Sequence, residues 1–250
     1  MKDLLKLEFY KLKRRKSFYI CTAIIFIEQI LTLISTKLVL KEDPLAFVYL
    51  SASGTDAMLE AVYSTSFTLI AGIFAVLFVC EDFEQQTVKN IISKGYTRVQ
   101  VFFAKAISVG TSVSVMFVLC VLFAFCMGTV FFEVGEAYGR LFAIMGAQYL
   151  AVMAETAAAF FLAFLLRKNG RSIAAYIVTP ALGSLVLSLA DLVLDNEDTL
   201  LSEFWYPIFI GNLTYLPVDT EILTRAFVAS PLYIAAFLGA GLFFSRKTEL

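Results

Sequence analysis

The chain has 250 residues, of which 60% are hydrophobic and 16% are charged, and its formal net charge is −1. This composition is far more apolar than that of soluble globular domains, so that class is excluded. The near-neutral charge gives no general attraction to nucleic acid, and the absence of histidine removes the commonest general base and metal ligand. We therefore expect neither a nucleic-acid partner nor a metal site.

The apolar residues form six runs, each long enough for a helix to cross about 30 Å of hydrocarbon. They predict an all-α membrane protein whose six transmembrane helices lie at about 18–40, 58–80, 101–132, 141–166, 173–194 and 229–245. Sixteen of the 20 Lys and Arg residues fall before the first span, between the second and third, between the fourth and fifth, or after the sixth. Lys105, near the start of the predicted third span, is counted with the residues between the second and third spans. Since positive charge stays on the cytoplasmic side, both termini are predicted to be cytoplasmic.

Residues 1–17 precede the first span and are rich in lysine. Leu5, Phe9 and Leu12 recur there at helical spacing, which predicts a short amphipathic helix lying at the membrane interface, in the headgroup layer. A basic tail that is surrounded by solvent and only sets the orientation is the alternative.

Two predicted spans contain polar residues at helical spacing. Glu28 and Thr32 lie in the first span, and Gln148 and Glu155 lie in the fourth. Carboxylates at membrane depth are rare and usually face a bundle interior or a water-filled cavity. These residues either line a translocation path or relay motion between helices, or they are satisfied by a neighbouring hydroxyl or amide group. A further alternative is an intramembrane enzyme that uses Glu28 or Glu155 as an acid or base.

A short helix, residues 85–94, is predicted between the second and third spans. Its apolar residues fall on one helical face, and they are Val88, Ile91 and Ile92. Gly95 predicts the end of this helix, and Thr97 begins a Thr-x-x-Gln capping box that starts the next one. A rigid helix of this kind is suited to docking in a groove on a partner, and an ordinary connector is the alternative.

The segment 195–228, between the fifth and sixth spans, is predicted to be external. It is long and contains Trp205, Tyr206 and two prolines. Interfacial aromatic residues and prolines favour short re-entrant helices that enter the outer leaflet, and they make a free loop the less favoured alternative.

The segment from the end of the second span to the start of the third resembles the coupling-helix region of type 2 ATP-binding-cassette (ABC-2) permeases. It has an acidic residue at the end of the span, a Thr-x-Lys-Asn element, a glycine and a Thr-Arg pair. The matching residues are Glu81, Thr87, Lys89, Asn90, Gly95, Thr97 and Arg98. Gln86 departs from the pattern, because the family commonly has glycine at this position.

The resemblance implies that this coupling helix contacts a separate ATPase subunit. Besides the matching residues, the contact is expected to include Asp82, Gln85, Val88, Ile91 and Ile92. Within the family, the chain is most similar to the subset that exports, or protects against, amphipathic peptides such as lantibiotics and phenol-soluble modulins.

The function implied is that of a transmembrane permease domain, residues 1–250, of an ATP-driven exporter in the bacterial plasma membrane. The sequence has no GxxxxGK[ST] motif for holding nucleotide phosphates, so ATP and magnesium are expected to bind to the partner ATPase. The chain itself is expected to hold no cofactor and not to be an enzyme. The expected partners are that ATPase, a second permease that is identical or similar, and the lipid bilayer. Export of sodium or of lipid-linked cargo is the alternative to peptide export.

Overall fold

A computed structural model describes residues 1–42, 53–64, 66–135, 139–194, 201–214 and 218–247. These residues are almost all helical and contain no β-strand. A short 3₁₀ helix lies at Leu201–Phe204. The α-helices are α1 (Lys2–Arg14), α2 (Lys16–Glu42), α3 (Gly54–Ser64), α4 (Phe67–Glu84), α5 (Thr87–Ser93), α6 (Arg98–Phe131), α7 (Leu141–Leu166), α8 (Asn169–Leu194), α9 (Ile208–Asn212) and α10 (Thr220–Lys247).

In the part of the chain that the structure describes, five helices are long and apolar enough to cross a membrane: α2, α6, α7, α8 and α10. A sixth span results if α3 and α4, which are bent by 48° at the break between them, are counted together. α4 covers most of the predicted second span, 58–80, and the break before α4 divides the predicted segment between two helices. Ser66 precedes α4 in a non-helical conformation, and its amide donates a hydrogen bond to the Glu28 carboxylate (3.1 Å), which ties the break to α2.

The other predicted spans correspond to single helices. α7 has the bounds of the predicted fourth span, 141–166, whereas α10 begins at Thr220, nine residues before the predicted start of the sixth. The ion pair between Glu221 and Arg225 (2.5 Å), one helical turn apart, supports this extra part of α10. The predicted external segment therefore includes the 3₁₀ helix, α9 and the first turns of α10. Its residues 195–200 and 215–217 lie outside the described residues.

α7 is the central helix of the bundle and packs against α4, α8 and α10. Its sequence supplies a strip of fully buried alanines, which are Ala147, Ala151, Ala154 and Ala158. Side chains this small let neighbouring helices approach closely, which is how helices pack in lipid, where there is no hydrophobic driving force between them.

Trp205 and Tyr206 attach the segment between α8 and α10 to the bundle. The Trp205 indole donates a hydrogen bond to the carbonyl oxygen of Pro180 in α8 (3.1 Å), and its ring lies against Gly183, where a β-carbon would overlap it. Tyr206 is fully buried and packs edge-on against Tyr233 of α10 at a centroid distance of 5.3 Å. The segment is thus held between two long helices.

Candidate functional site

The predicted coupling helix is α5, and the chain enters and leaves it through left-handed residues. Gln86, just before it, has φ of 55°, and Gly95, just after it, has φ of 94°. A β-carbon on Gly95 would meet nothing within 4 Å, so this glycine is needed for its backbone conformation and not for space. Gln86 adopts a left-handed conformation without being glycine, the residue that the family resemblance led us to expect at this position. A non-glycine residue in this conformation costs about 1 kcal/mol.

The apolar face of α5 is turned toward its own chain. Val88 and Ile91 are 4% and 6% exposed and pack against Leu4 of α1 and against Val101 and Ala104 of α6. The expectation that Val88 and Ile91 are free to enter a partner's groove is therefore wrong, since they attach α5 to α1 and α6. Ile92 is only partly buried. The exposed residues of α5 are polar, and they are Lys89, Asn90 and Ser93.

The capping box predicted at the start of α6 is confirmed. The Gln100 amide donates to the Thr97 hydroxyl (3.3 Å), and the Thr97 amide donates to the Gln100 side chain (3.0 Å). Because these bonds satisfy two donors at the helix start, they fix the point at which the chain turns from α5 into α6.

Six charged residues of α1, α4, α6 and the α1–α2 junction form a cluster that the sequence did not reveal. We call it the ionic cluster, and its members are Glu8, Lys11, Arg15, Glu81, Asp82 and Lys105. Lys105 bridges Glu8 (3.3 Å) and Asp82, and Asp82 also binds Lys11 (3.0 Å) and Arg15 (3.0 Å). Arg15 pairs in addition with Glu81. The cluster has equal numbers of positive and negative groups.

The ionic cluster corrects one expectation about a residue that it contains. α1 packs on α6 through Leu4 and Glu8, and Leu5 and Leu12 of the predicted stripe are partly buried against the protein core. Lys105, counted with the loop cations, lies inside α6 and is 0% exposed. The sequence signal that could have indicated the cluster is a lysine surrounded by apolar residues, because a buried ammonium group requires an anionic partner.

Burial and charge act in opposite directions on Asp82, which lies beyond the apolar run that ends at Cys80. Burial removes the carboxylate of Asp82 from water, and the ammonium groups of Lys105 and of Lys11 (3.0 Å) offset that cost. The ion pairs therefore account for a buried carboxylate at this position.

A cleft of about 520 Å³ opens beside the ionic cluster. Four predicted coupling residues line it, and they are Glu81, Asp82, Gln85 and Thr87. Basic residues around the end of α1 and the start of α2 also line it, among them Arg14 and Lys16. The cleft and the polar face of α5 are thus neighbouring surfaces at one end of the bundle, which we call the α5 end.

The four polar residues predicted within spans do not form one site. Glu28 accepts the Ser66 amide, and the Thr32 hydroxyl donates to the Glu28 backbone (3.0 Å). The Gln148 amide group is buried and donates to the carbonyl oxygens of Leu59 (2.9 Å) and Leu213 (3.3 Å), so it joins α3 and the end of α9 to α7. Glu155 lines a cavity whose wall also includes Ser66, the hydrogen-bond partner of Glu28.

The geometry is that of a helical membrane bundle with a charged, partly open end. The family model of the ABC-2 family transporter proteins matches residues 4–183, from α1 into α8. The chain belongs to this family and is the multi-pass membrane subunit, or permease, of an ABC transporter, which implies an ATPase partner. The match includes α5, the ionic cluster and Glu155. No curated protein matches the sequence closely enough to count as a relative.

Proposed function

We propose that this permease exports amphipathic peptides and that a separate ATPase drives it through α5 and the cleft beside it. The observation that carries the proposal is the attachment of α5: Val88 and Ile91 bind it to α1 and α6, and the ionic cluster binds α1 to α4 and α6. A displacement of α5 is therefore passed to two long helices at once. A connector with no mechanical role would need no such attachment.

The surface that meets the ATPase is polar in this proposal. Lys89, Asn90 and Ser93 project from α5, and the adjacent cleft presents Gln85 and Thr87. Closure of two ATPase subunits around ATP and magnesium would draw the α5 helices of two permeases together. The permease therefore works as a pair, with an identical or a similar chain.

The proposed orientation places the α5 end in the cytoplasm of a bacterial cell, with both termini on that side. It is supported by the grouping of charge, because positive residues collect on the cytoplasmic side of membrane proteins. The α7–α8 turn, which holds Arg167 and Lys168, lies at the same end, since the Asn169 amide donates to Glu84 at the end of α4 (3.0 Å).

The docking surface can be tested by reversing one exposed charge. Lys89→Glu changes a side chain that contributes nothing to the packing of α5. In a complex purified with the cognate ATPase, we expect permease-stimulated ATP hydrolysis to fall about tenfold, as for a lost charged contact at an interface.

Lys41→Glu is the matched control, because it makes the same change on an exposed residue. Lys41 lies near the end of α2, whereas the start of α2 is the part that lines the cleft. This control should leave stimulation unchanged. If the wild type and the Lys89→Glu variant stimulated ATP hydrolysis equally, α5 would not be part of the ATPase interface.

A further inference from the structure

A second cavity lies away from the α5 end, between α4, α8 and α9. Its volume is about 390 Å³, which is within the range of about 300–1,000 Å³ that is usual for small-molecule pockets. The wall is mixed in character: Leu69, Ile177 and Ile210 are apolar, and Thr68 and Tyr176 present hydroxyl groups. No function described so far uses this cavity.

Glu155 supplies the one carboxyl group in the lining of the cavity. Its side chain comes from α7 and is 7% exposed, and Thr68 and Tyr176 line the cavity with it. Tyr176 is held in place, because its hydroxyl donates to the Thr68 carbonyl oxygen (2.8 Å) and its ring packs on Gly72. Two other helices, α4 and α8, thus supply hydroxyl-bearing residues to the same cavity wall.

Glu155 takes part in none of the ion pairs found among the described residues. This sets it apart from Glu8 and Asp82, which are also buried and are paired with lysine. A carboxyl group at membrane depth is costly and is usually matched by a cation or placed on a ligand pathway. The cavity beside Glu155 has space for a positively charged ligand that would supply the matching charge.

We propose that this cavity binds a hydrophobic cation, whose charge meets Glu155 and whose apolar part fills the space between α4, α8 and α9. The inference deepens the proposed export function and rests on it, because the ligand would be the cationic part of an amphipathic cargo. Apolar walls and a single buried acid select for that combination: an anion would be repelled, and a small hydrated cation would leave the apolar walls uncovered.

Two probes of the same shape and opposite charge test this selectivity. The purified permease in lipid nanodiscs, without its ATPase, is dialysed to equilibrium against radiolabelled tetraphenylphosphonium or tetraphenylborate, with empty nanodiscs as the blank. We expect saturable binding of the phosphonium above the blank and none of the borate. Glu155→Gln should weaken phosphonium binding about tenfold or more, as expected for the loss of a desolvated charge partner.

Two further variants separate charge from folding. Glu133→Gln removes a carboxylate from an exposed residue outside the cavity and should leave binding unchanged. Gly211→Leu should block the cavity without strain at its β-carbon, which would meet only Tyr63 at 3.5 Å, and should abolish binding while Glu155 is retained.

Equal binding of phosphonium by the wild type and by Glu155→Gln, or of phosphonium and borate by the wild type, would overturn the inference. So would the lack of any binding by the wild type. These results would leave the proposed function untouched, since that function is tested by the stimulation of ATP hydrolysis and not by binding to the isolated permease.

Discussion

Lys105 is the residue on which the α5 end depends most. Its ammonium group is fully buried, contacts Glu8 and Asp82, and lies 5.5 Å from the centre of the Phe78 ring. Burying three charges removes much of their hydration, and only their mutual attraction offsets that cost. Loss of the ammonium group would remove the one fully buried cation of the cluster and leave Glu8 and Asp82 to the more exposed Lys11 and Arg15.

We therefore predict that Lys105→Met destabilises the protein by about 3–5 kcal/mol, the usual result of breaking a buried ion pair from one side. Unfolding in mixed micelles, followed by circular dichroism as denaturant is added, measures the effect. Lys94→Met, on an exposed lysine just after α5, serves as the control and should change stability by about 0.5 kcal/mol or less. Similar losses in both variants would mean that the ionic cluster contributes little.

Gln86 and its neighbour Gln85 differ in backbone conformation, and this difference gives a second prediction. Gln86→Gly relieves a left-handed residue and should stabilise the protein by about 0.5–1 kcal/mol. Gln85 has φ of −82°, so Gln85→Gly should instead destabilise by about 0.5–1 kcal/mol. Hydrogen exchange of the α5 amides reports both changes, and a common sign for the two variants would contradict the assigned backbone.

Among the helices, α8 shows how one residue can hold an element in place. Gly183 gives the Trp205 ring room to lie against α8, and Pro180 offers its carbonyl oxygen to the indole. Since Pro180 and Pro207 both line the Glu155 cavity, the position of Trp205 affects the shape of the cavity wall.

We predict that Gly183→Ala moves Trp205 away from α8, because the new methyl group would overlap the indole. The chain has a single tryptophan, so its fluorescence reports this one site. The emission maximum should shift to the red as the indole becomes more exposed. Gly239→Ala, where a β-carbon meets nothing within 4 Å, should leave the spectrum unchanged. A spectrum unaltered by Gly183→Ala would show that the ring is placed elsewhere.

The sequence predicted helices more reliably than it predicted their faces and partners. Hydropathy located α7 at 141–166, and the capping box located the start of α6 at Thr97, because both signals are local. The periodicity of α5 identified an apolar face but could not say that this face meets α1. The ionic cluster joins residues as far apart as Glu8 and Lys105, and no local pattern encodes a contact over 97 positions.

In the whole molecule, the two polar features lie in different parts of the bundle. The ionic cluster and α5 connect α1, α4 and α6 where the partner ATPase is proposed to dock. The Glu155 cavity lies between α4, α8 and α9. α4 is common to both, since Asp82 is near its end and Thr68 is in its first turn. Movement of α4 is therefore the structural link that we propose between ATP hydrolysis and cargo.

The central claim is that this permease does no work without a separate ATPase. The most direct test is uptake of a fluorescent amphipathic cationic peptide into inverted proteoliposomes that contain the permease, with or without the cognate ATPase. The account predicts accumulation only when both proteins and hydrolysable ATP are present, and little accumulation with the Lys89→Glu permease. Full uptake by vesicles that contain the permease alone would contradict it.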